Sequence, residues 1–506
     1  MISRVNSIFL MGLDGYILDI EVDIQNGLPA FNMVGLPDAV IKESKERVRS
    51  AIKNSNLEFP KGKVLVNFAP ASIKKEGNHL DLPIAISILK ACGYIRGNIE
   101  KDIFVGELAL NGDIRRVRGL LPMIIEARSK RFKRVFIPID NINEVKMIDG
   151  IDIYPVNSLR EVIDYLNGEI QLDKVLTIKY DITNVKYGID FNEVKGHSFA
   201  KRAVEIAASG FHNILMYGPP GSGKTMIAQR IPTVLPYLTY EESLEVSKVY
   251  SIVGALKDES MIFYPPFRNP HVNVSTNSLI GGGTVPIPGE VSLAHNGVLF
   301  LDEFTEFKRD ALEALRQPLE DGIVTVSRVK AKYTFPAKFM LVAAMNPCPC
   351  GYYGSEIKEC KCTELQIKNY LSKISGPILD RIDIHIELSP VKFEELQDSK
   401  DEISSLEILK RVIKAREIQA KRFKNDGILY NSNMKSKHIK KYCRLDSDAE
   451  KLLENAYKRF NMTTRSYAKI LKISRTIADL DESENIKSNH IAEALQYRKL
   501  DGTLLK

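Results

Sequence analysis

One stretch near the middle of the chain constrains the fold more than any other: residues 212–231, HNILMYGPPGSGKTMIAQRI. The apolar run NILMY predicts a short buried strand, and TMIAQRI predicts a helix. The turn between them fits a phosphate-binding loop, whose glycines let backbone amides point inward around an anion. The pattern predicts that Lys224 contacts the β- and γ-phosphates of ATP and that Thr225 binds Mg²⁺. The loop residues are Gly218, Pro219, Pro220, Gly221, Ser222, Gly223, Lys224 and Thr225.

A second apolar run, NGVLFLDEF at residues 296–304, ends in two acidic residues. Parallel sheets bind their ligands at the carboxyl ends of strands, which is where these acids fall. We expect Asp302 to bind Mg²⁺, directly or through water, and Glu303 to polarise the attacking water. An apolar strand followed by two acids is common by itself. Downstream of a phosphate-binding loop, it indicates a nucleotide hydrolase.

Two later segments supply further polar residues. The run KFMLVAAMNP predicts a buried strand that ends at Asn346, whose amide can hydrogen-bond the γ-phosphate or the attacking water. The segment SGPILDRIDIHIEL places Arg381 in a helix-to-strand turn between acids. Two interpretations of Arg381 stay open: a local ion pair with Asp380 or Asp383, or an arginine finger that reaches the nucleotide of a neighbouring subunit.

Four of the six cysteines lie in the stretch CPCGYYGSEIKECKC, directly after this third strand. Two close pairs across a turn rich in glycine and tyrosine can converge on a structural Zn²⁺ ion. The metal would order a loop too short to bury a core of its own, and would hold Asn346 and Arg381 in a fixed relation. Redox sensing and unliganded thiols are the alternatives. The four residues are Cys348, Cys350, Cys360 and Cys362.

Length and composition limit the remaining possibilities. A chain of 506 residues should divide into about three domains. Its sequence lacks an apolar run of about 20 residues and a signal-peptide pattern, so we expect a cytoplasmic protein without a membrane partner. Thiols stay reduced in that compartment, which favours a metal over disulfides for the cysteine cluster. The net charge of +7 is compatible with a polyanionic partner and does not establish one.

These residues together resemble an AAA+ ATPase, and more narrowly the Mg-chelatase-like AAA+ family of the bacterial YifB and ComM proteins. The resemblance runs essentially end to end. In this family Asn346 takes the place of sensor 1, Arg381 that of the arginine finger, and Arg465, near the start of the helical stretch 462–480, that of sensor 2. The matching phrases include KGHSFAKRAVEIAASGFHNILMYGPPGSGKT, SLIGGGTVPIPGEVSLAHNGVLFLDE, LRQPLEDGIVTVSR, AAMNPCPCGYYG and SGPILDRIDIH.

The resemblance implies an α/β protein with three domains and a linker. The N-terminal domain is similar to the α/β domain shared by Lon protease and RadA, of the ribosomal S5 domain 2-like type. The core is an AAA+ P-loop domain with a parallel sheet, and a helical lid follows it. The expected bounds are 1–170 for the N-terminal domain, 171–190 for the linker, 191–392 for the AAA+ core with the cysteine cluster at 348–362, and 393–506 for the lid.

The N-terminal domain is expected to be non-catalytic. Lon-like peptidases use a serine and a lysine, whereas this chain has His79 near the serine position and Leu121 at the lysine position. Neither nucleophile nor activating amine is present, so acyl transfer is not supported. Three arginines nearby can form an anion-binding patch; they are Arg115, Arg116 and Arg118.

The family resemblance implies an ATP-driven homo-hexameric ring that acts on single-stranded or branched DNA, with branch migration or helicase activity in natural transformation and recombination. Residues 278–290 would be the insert of this AAA+ branch. The segment 323–339 predicts two β-runs around a basic tip that either contacts DNA phosphates or is simply solvated. A magnesium-chelatase motor subunit and a DNA-independent protein-remodelling ATPase are the alternatives. The basic tip residues are Arg328, Lys330 and Lys332.

Overall fold

The structure is a computed structural model that describes residues 2–71, 75, 77–178, 187–256, 260–283, 286–328, 331–355, 358–391 and 402–498. The chain forms two compact units. The N-terminal unit comprises Met1–Asp181, Ser243–Ile262 and Ser327–Phe335, and the C-terminal unit comprises Ile182–Glu242, Phe263–Val326 and Pro336–Lys506. None of the helices within these described ranges is sufficiently long and apolar to span a bilayer.

Strands and helices alternate along most of the chain. The strands are β1 Ile2–Met11, β2 Asp14–Gln25, β3 Ala30–Val34, β4 Lys63–Ala69, β5 Asp102–Phe104, β6 Glu107–Leu108, β7 Ile114–Arg115, β8 Arg134–Pro138, β9 Asp152–Val156, β10 Ile214–Tyr217, β11 Phe267–Arg268, β12 Gly281–Gly282, β13 Ile287–Pro288, β14 Val298–Leu301, β15 Ile323–Arg328, β16 Ala331–Pro336, β17 Met340–Met345 and β18 Ile384–Glu387. The helices are α1 Ala39–Asn54, α2 Asp81–Ala91, α3 Leu120–Ser129, α4 Ile142–Val145, α5 Leu159–Leu166, α6 Ser198–Gly210, α7 Lys224–Arg230, α8 Tyr240–Val253, α9 Thr276–Ile280, α10 Glu290–Leu293, α11 Arg309–Ala314, α12 Arg316–Asp321, α13 Glu364–Leu371, α14 Gly376–Leu379, α15 Ser405–Phe423, α16 Ser436–Tyr442, α17 Ser447–Phe460, α18 Thr464–Leu480 and α19 Ser488–Gln496.

The N-terminal unit is built on a seven-stranded mixed sheet in the order β3-β4-β2-β1-β5-β8-β9. β2 runs antiparallel to both β1 and β4, and the pairs further out are parallel. Helix α1 starts after Asp38, whose side chain accepts a hydrogen bond from the Ile41 amide at 2.8 Å. Such a cap satisfies one of the free N–H groups at a helix start. The apolar face of α1 then packs with α2 in the core of this unit.

The C-terminal unit contains a parallel five-stranded sheet in the order β11-β14-β17-β10-β18. Alternate residues of its strands face opposite layers, as the two-residue period of a strand requires. On β10, Ile214 and Met216 join the core on one side of the sheet, while Leu215 and Tyr217 join the core on the other. All four are buried, which explains why the strand is a continuous apolar run rather than an alternating one.

The strand order places a topological switch at β10. After β10 the chain forms the outer strands β11 and β14, and then β17 on one side of β10. It next crosses to β18 on the other side, and both neighbours of β10 run parallel to it. In open α/β sheets, ligands bind in the crevice beyond the carboxyl ends of the strands at such a switch point. The fold therefore predicts a ligand-binding site at the loop that follows Tyr217.

Helices α15 to α19 pack onto one face of this sheet and share its core. Helix α15 begins at a capping box in which the Ser404 hydroxyl caps the Glu407 amide and the Glu407 carboxylate accepts from the Ser404 amide. Helix α18 carries Arg465 in its first turn, as the sequence predicts, and buries Ile470, Ile473 and Ile477 against the core.

Part of the predicted linker 171–190 is ordered against the N-terminal unit. The Val175 amide donates to the Ile153 carbonyl at 2.8 Å, and the Ile178 amide donates to the Lys146 carbonyl at 2.9 Å. Residues 179–186 of this linker lie outside the described residues. The predicted insert at 278–290 includes the small antiparallel pair β12–β13.

Candidate nucleotide-binding site

The loop between β10 and α7 has the backbone geometry of a phosphate cradle. Gly221 and Gly223 have φ values of +77° and +80°, a left-handed conformation that side chains disfavour. Gly218 is required for a different reason, since a Cβ there would lie 2.2 Å from the Leu388 carbonyl oxygen. Helix α7 starts at Lys224, so its free N–H groups and the positive end of its dipole face the loop.

Lys224 folds back over this loop. Its Nζ donates to the carbonyl oxygens of Gly218 at 2.8 Å and Pro219 at 2.9 Å. Its distance to the Asn346 Oδ1 is 3.4 Å. Burial lowers the pKa of Lys224, and the negative charge of Asp302 opposes that shift. An ammonium group held mainly by carbonyls, in a loop that offers amides to an anion, is suited to neutralise a phosphate.

Thr225 and Asp302 bring two oxygen ligands together. The Thr225 hydroxyl donates to the Asp302 Oδ2 at 2.7 Å, which joins the start of α7 to the carboxyl end of β14. Hydroxyl and carboxylate oxygens are the ligands that Mg²⁺ takes beside a phosphate. The structure brings these two residues together at one place.

Glu303 follows Asp302 in a left-handed conformation, with φ of +51°. A non-glycine residue there is strained, and such strain concentrates at functional sites. Its amide donates to the Asp302 Oδ1 at 2.9 Å, and its side chain is exposed. The turn therefore fixes the backbone of Glu303 while leaving the carboxylate accessible to a water molecule.

Asn346 completes this group at the end of β17. Its side chain reaches Lys224, and the Gly218 amide donates to the Met345 carbonyl at 3.3 Å. The sequence missed the neighbouring Tyr370, whose hydroxyl accepts from Thr305 at 2.5 Å, two residues beyond Glu303. No motif marks Tyr370, because its role depends on packing between segments distant in the chain.

The side chains present fit ATP and Mg²⁺. The phosphate cradle is formed, the cationic Lys224 lies within it, and the Thr225–Asp302 pair supplies adjacent oxygens. An ideal Cβ on Gly221 would meet nothing within 4 Å, so the loop is open at that point. Next to the loop lies His197, whose Nε2 is 3.4 Å from the ideal Cβ position of Gly223. We infer that Lys224, Thr225, Asp302, Glu303 and Asn346 form one site.

Arg381 and Arg465 lie elsewhere. Arg381 precedes β18, and its carbonyl accepts from the side chain of Asn213 at 2.7 Å. Asn213 is the residue before β10, so Arg381 sits at the amino edge of the sheet, opposite the phosphate loop. The Arg381 guanidinium forms an ion pair with Glu320 rather than with either acid considered from the sequence.

Arg465 lies near Arg381 at this opposite edge. It pairs with Asp380 at 3.0 Å, and 73% of its side chain is exposed. The two arginines line one cleft of about 650 Å³. The structure describes every residue of the phosphate loop 218–225, and none of them lines this cleft. The structure therefore brings the two arginines together with each other and not with the phosphate site of their own chain.

The four clustered cysteines converge. Their Sγ atoms all lie within 4.8 Å of one another. Cys348 is buried, Cys350 is exposed, and the other two are intermediate. All four are free thiols, so the cluster holds no disulfide.

The residues proposed to contact DNA are described only in part. Strands β15 and β16 form the expected hairpin, and the Lys332 side chain is exposed on β16. Lys330 lies outside the described residues, as does the side chain of Arg328. Among the N-terminal arginines, Arg115 is 65% exposed and lies 4.0 Å from Glu107.

The strand order, the phosphate loop and the acids at the end of β14 together define a P-loop nucleotide-binding protein of the AAA+ type. Comparison with known families agrees. Residues 190–396 match magnesium chelatase, subunit ChlI; residues 20–141 match subunit ChlI of Mg-chelatase; and residues 402–498 match the ChlI C-terminal region.

Relatives that match over the full length of the chain identify its family more closely. The competence protein ComM of Haemophilus influenzae is 42% identical over 501 residues, which cover 98% of this chain and 97% of the relative. The protein YifB of Escherichia coli is 41% identical over 507 residues, covering 100% and 98%. The chain belongs to the Mg-chelatase-like AAA+ family of ComM and YifB, which implies ATP and Mg²⁺.

A more distant similarity extends to a replication protein. The maternal DNA replication licensing factor mcm6 of Xenopus tropicalis is 20% identical over 315 residues, 58% of this chain and 33% of the relative.

Proposed function

We propose that this chain is an ATP-hydrolysing ring motor that acts on DNA, and that each of its active sites is completed by an arginine of the neighbouring subunit. The observation that carries the proposal is the separation of Lys224 from Arg381. The four residues of β10 lie between the two ends of the sheet, a span of roughly 13 Å at about 3.3 Å per residue. Arg381 therefore serves a second copy of the chain.

The geometry supports a role for each residue of the site. Lys224 would neutralise the terminal phosphates, while Thr225 and Asp302 would hold the metal. Mg²⁺, when bound, neutralises phosphate oxygens as charge moves between them. Glu303 polarises the attacking water, and Asn346 orients it or the γ-phosphate.

At the opposite edge, Arg381 and Arg465 face the next subunit. A guanidinium supplied from a neighbour stabilises the charge that develops on the transferring phosphoryl group. Head-to-tail contacts of this kind repeat the same interface around a closed ring. A homo-hexamer is the ring that we propose.

A mixing experiment tests this arrangement. Lys224→Ala destroys the nucleotide site but keeps the arginines, and Arg381→Ala does the reverse. Each variant alone should be nearly inactive. An equal mixture should regain ATPase activity, because about a quarter of the interfaces in a random ring join an intact nucleotide site to an intact arginine.

A control mixture combines Lys224→Ala with Glu303→Gln, since both changes damage the same side of the interface. That mixture should stay inactive. If neither mixture regains ATPase activity, although size measurements show that rings form, the assignment of Arg381 to the neighbour's site is refuted.

Three observations support DNA as the substrate. The chain is similar to a protein named as a DNA replication licensing factor and to one named as a competence protein. The hairpin β15–β16 carries the exposed Lys332. Lysines near a hairpin tip suit contact with a phosphate backbone. We propose branch migration or helicase activity on single-stranded or branched DNA, in natural transformation and recombination.

The test is ATPase activity with and without four-way or forked DNA. We expect strong stimulation, which Lys332→Ala should reduce without changing basal hydrolysis. Lys451→Ala, at an exposed lysine of α17, is the matched control. Indifference to DNA would instead support the magnesium-chelatase motor or the protein-remodelling ATPase.

We also propose that the N-terminal unit is a non-catalytic domain of the Lon/RadA type. His79 is buried, and its Nε2 lies 3.1 Å from the Ile8 carbonyl oxygen. Burial lowers the pKa of His79 to about 4. Leu121 is fully buried. Neither position offers a nucleophile or a base to a peptide.

A further inference from the structure

The cysteine cluster of the C-terminal unit has distances that match a tetrahedral thiolate site. The Sγ atoms of Cys348 and Cys350 are 3.4 Å apart, those of Cys348 and Cys360 are 3.7 Å apart, and those of Cys350 and Cys360 are 3.6 Å apart. Four sulfurs at about 2.3 Å from a central Zn²⁺ are separated by about 3.8 Å along each tetrahedral edge. A disulfide would bring two sulfurs to about 2.05 Å.

The described part of the loop that carries these sulfurs lies mostly at the surface. Cys348 is fully buried and packs in the core beneath the sheet, whereas Cys350 and most of the described residues between the two pairs are exposed or half-buried. The Tyr353 amide donates to the Cys348 Sγ at 3.3 Å, an interaction that supports a thiolate. A loop without its own apolar core gains its order from a bound metal.

This loop presses on the phosphate loop. Gly351 has φ of +85°, and an ideal Cβ on it would lie 2.8 Å from the Pro220 Cδ and 3.8 Å from the Asn346 Cγ. Only glycine permits this approach. The turn directly after the first two cysteines thus lies against the cradle and against the residue proposed to orient the attacking water.

The other end of the cysteine loop is tied to the acidic turn. Helix α13 starts immediately after Cys362, at a capping box formed by Thr363 and Gln366. The last turn of this helix carries Tyr370, whose hydroxyl accepts from Thr305 beside Glu303. One end of the cysteine loop therefore contacts the phosphate loop, and the helix at its other end contacts the turn that carries Glu303.

We propose that Cys348, Cys350, Cys360 and Cys362 bind one Zn²⁺ ion as four thiolates, and that this ion braces Pro220 and Asn346 so that the phosphate loop binds nucleotide. The inference rests on the nucleotide site of the proposed function. It does not depend on DNA or on ring formation. Binding releases the thiol protons to solvent and involves no oxidation or reduction.

Metal content is the first measurement. The purified protein should contain one Zn²⁺ ion per chain, and Co²⁺ in its place should give the ligand-field bands of a tetrahedral tetrathiolate. Cys350→Ser, at the exposed position, should lose most of the metal. Cys92→Ser, outside the cluster, should keep it. Metal-free protein with free thiols or with disulfides in the cluster would overturn the proposal.

Nucleotide affinity is the second measurement, made with a fluorescent ADP analogue. Cys350→Ser should weaken binding at least tenfold. Gly351→Ala should weaken it similarly while keeping Zn²⁺, because the added Cβ displaces Pro220. Lys224→Ala should lose nucleotide and keep Zn²⁺, which separates failure of the nucleotide site from failure of the metal site. Unchanged affinity in folded, zinc-free Cys350→Ser would show that the metal does not brace the loop.

Discussion

Lys224 and Arg381 lie at opposite edges of the same parallel sheet. Lys224 follows the carboxyl end of β10, while the carbonyl of Arg381 accepts a hydrogen bond from Asn213 at the amino end of that strand. A single chain cannot bring both groups to one phosphate without dismantling the sheet between them. The predictions below follow from this separation and from the contacts around each group.

The first prediction concerns Glu303. Glu303→Gln keeps the turn and its size but removes the carboxylate, so nucleotide should still bind while kcat falls by about 10²-fold or more. Binding of a fluorescent ATP analogue and steady-state hydrolysis separate the two effects. Glu306→Gln is the matched control, since Glu306 pairs with Lys373 on the surface and should leave kcat unchanged.

Thr225 provides a prediction about magnesium. Thr225→Val removes the hydroxyl that donates to Asp302, and the Mg²⁺ concentration for half-maximal ATPase activity should rise about tenfold. Thr225→Ser keeps the hydroxyl and should resemble the unmodified protein. A magnesium titration at saturating ATP is the measurement. Equal requirements in the valine and serine variants would contradict the assignment.

Arg381 should separate stability from activity. Its partner Glu320 is largely exposed, and the Arg381 guanidinium also donates to the Pro377 carbonyl at 2.7 Å, so Arg381→Ala should lower the free energy of unfolding by only about 1 kcal/mol. The kcat for ATP should fall by about 10³-fold. Glu320→Ala breaks the same ion pair from the other side and should keep ATPase activity. Urea unfolding and hydrolysis by all three proteins decide whether the guanidinium acts on nucleotide or only on Glu320.

Asp383 should make stability depend on pH. Burial alone raises the pKa of Asp383, but the hydrogen bond from His212 and the charges of His212, Lys469 and Lys472 together hold it well below its ordinary value. A lowered carboxyl pKa stabilises the fold fully above the unfolded value of about 4 and loses that effect as the pH falls further.

Asp383→Asn should therefore cost about 2 kcal/mol at pH 7, and the difference from the unmodified protein should narrow toward pH 3. Chemical unfolding at both pH values is the measurement. Asp380→Asn, on the surface of the same turn, should cost less than about 1 kcal/mol at pH 7. A constant difference for Asp383→Asn across this range would show that its charge does not stabilise the fold.

Much of the nucleotide site follows from local sequence. The strand–loop–helix at 212–231 and the acids after β14 are predictable because apolar runs define strands and parallel strands share a carboxyl edge. Thr225 and Asp302 meet for that reason. The same reasoning places Asn346 beside Lys224.

The contacts around Arg381 and beside the phosphate loop are not predictable in this way. Glu320 holds Arg381, and Gly351 contacts Pro220, through segments far apart in the chain. The sequence offers Asp380 and Asp383 as partners for Arg381 because they are adjacent, yet Asp380 pairs with Arg465 and Asp383 with His212. Proximity in sequence does not decide which acid a long, flexible arginine side chain reaches once the helices pack.

The buried imidazole of His212 lies 3.0 Å from Asp383 and 2.8 Å from the Thr476 hydroxyl. Asp383 lies two residues beyond Arg381, and Thr476 lies on α18, the helix that carries Arg465 in its first turn. His212 thereby joins the sheet to helix α18 at the edge that carries both arginines, and makes that edge rigid. In the ring that we propose, this rigid edge belongs to the subunit boundary, so a movement at one nucleotide site reaches the neighbouring subunit without bending the sheet against its helices.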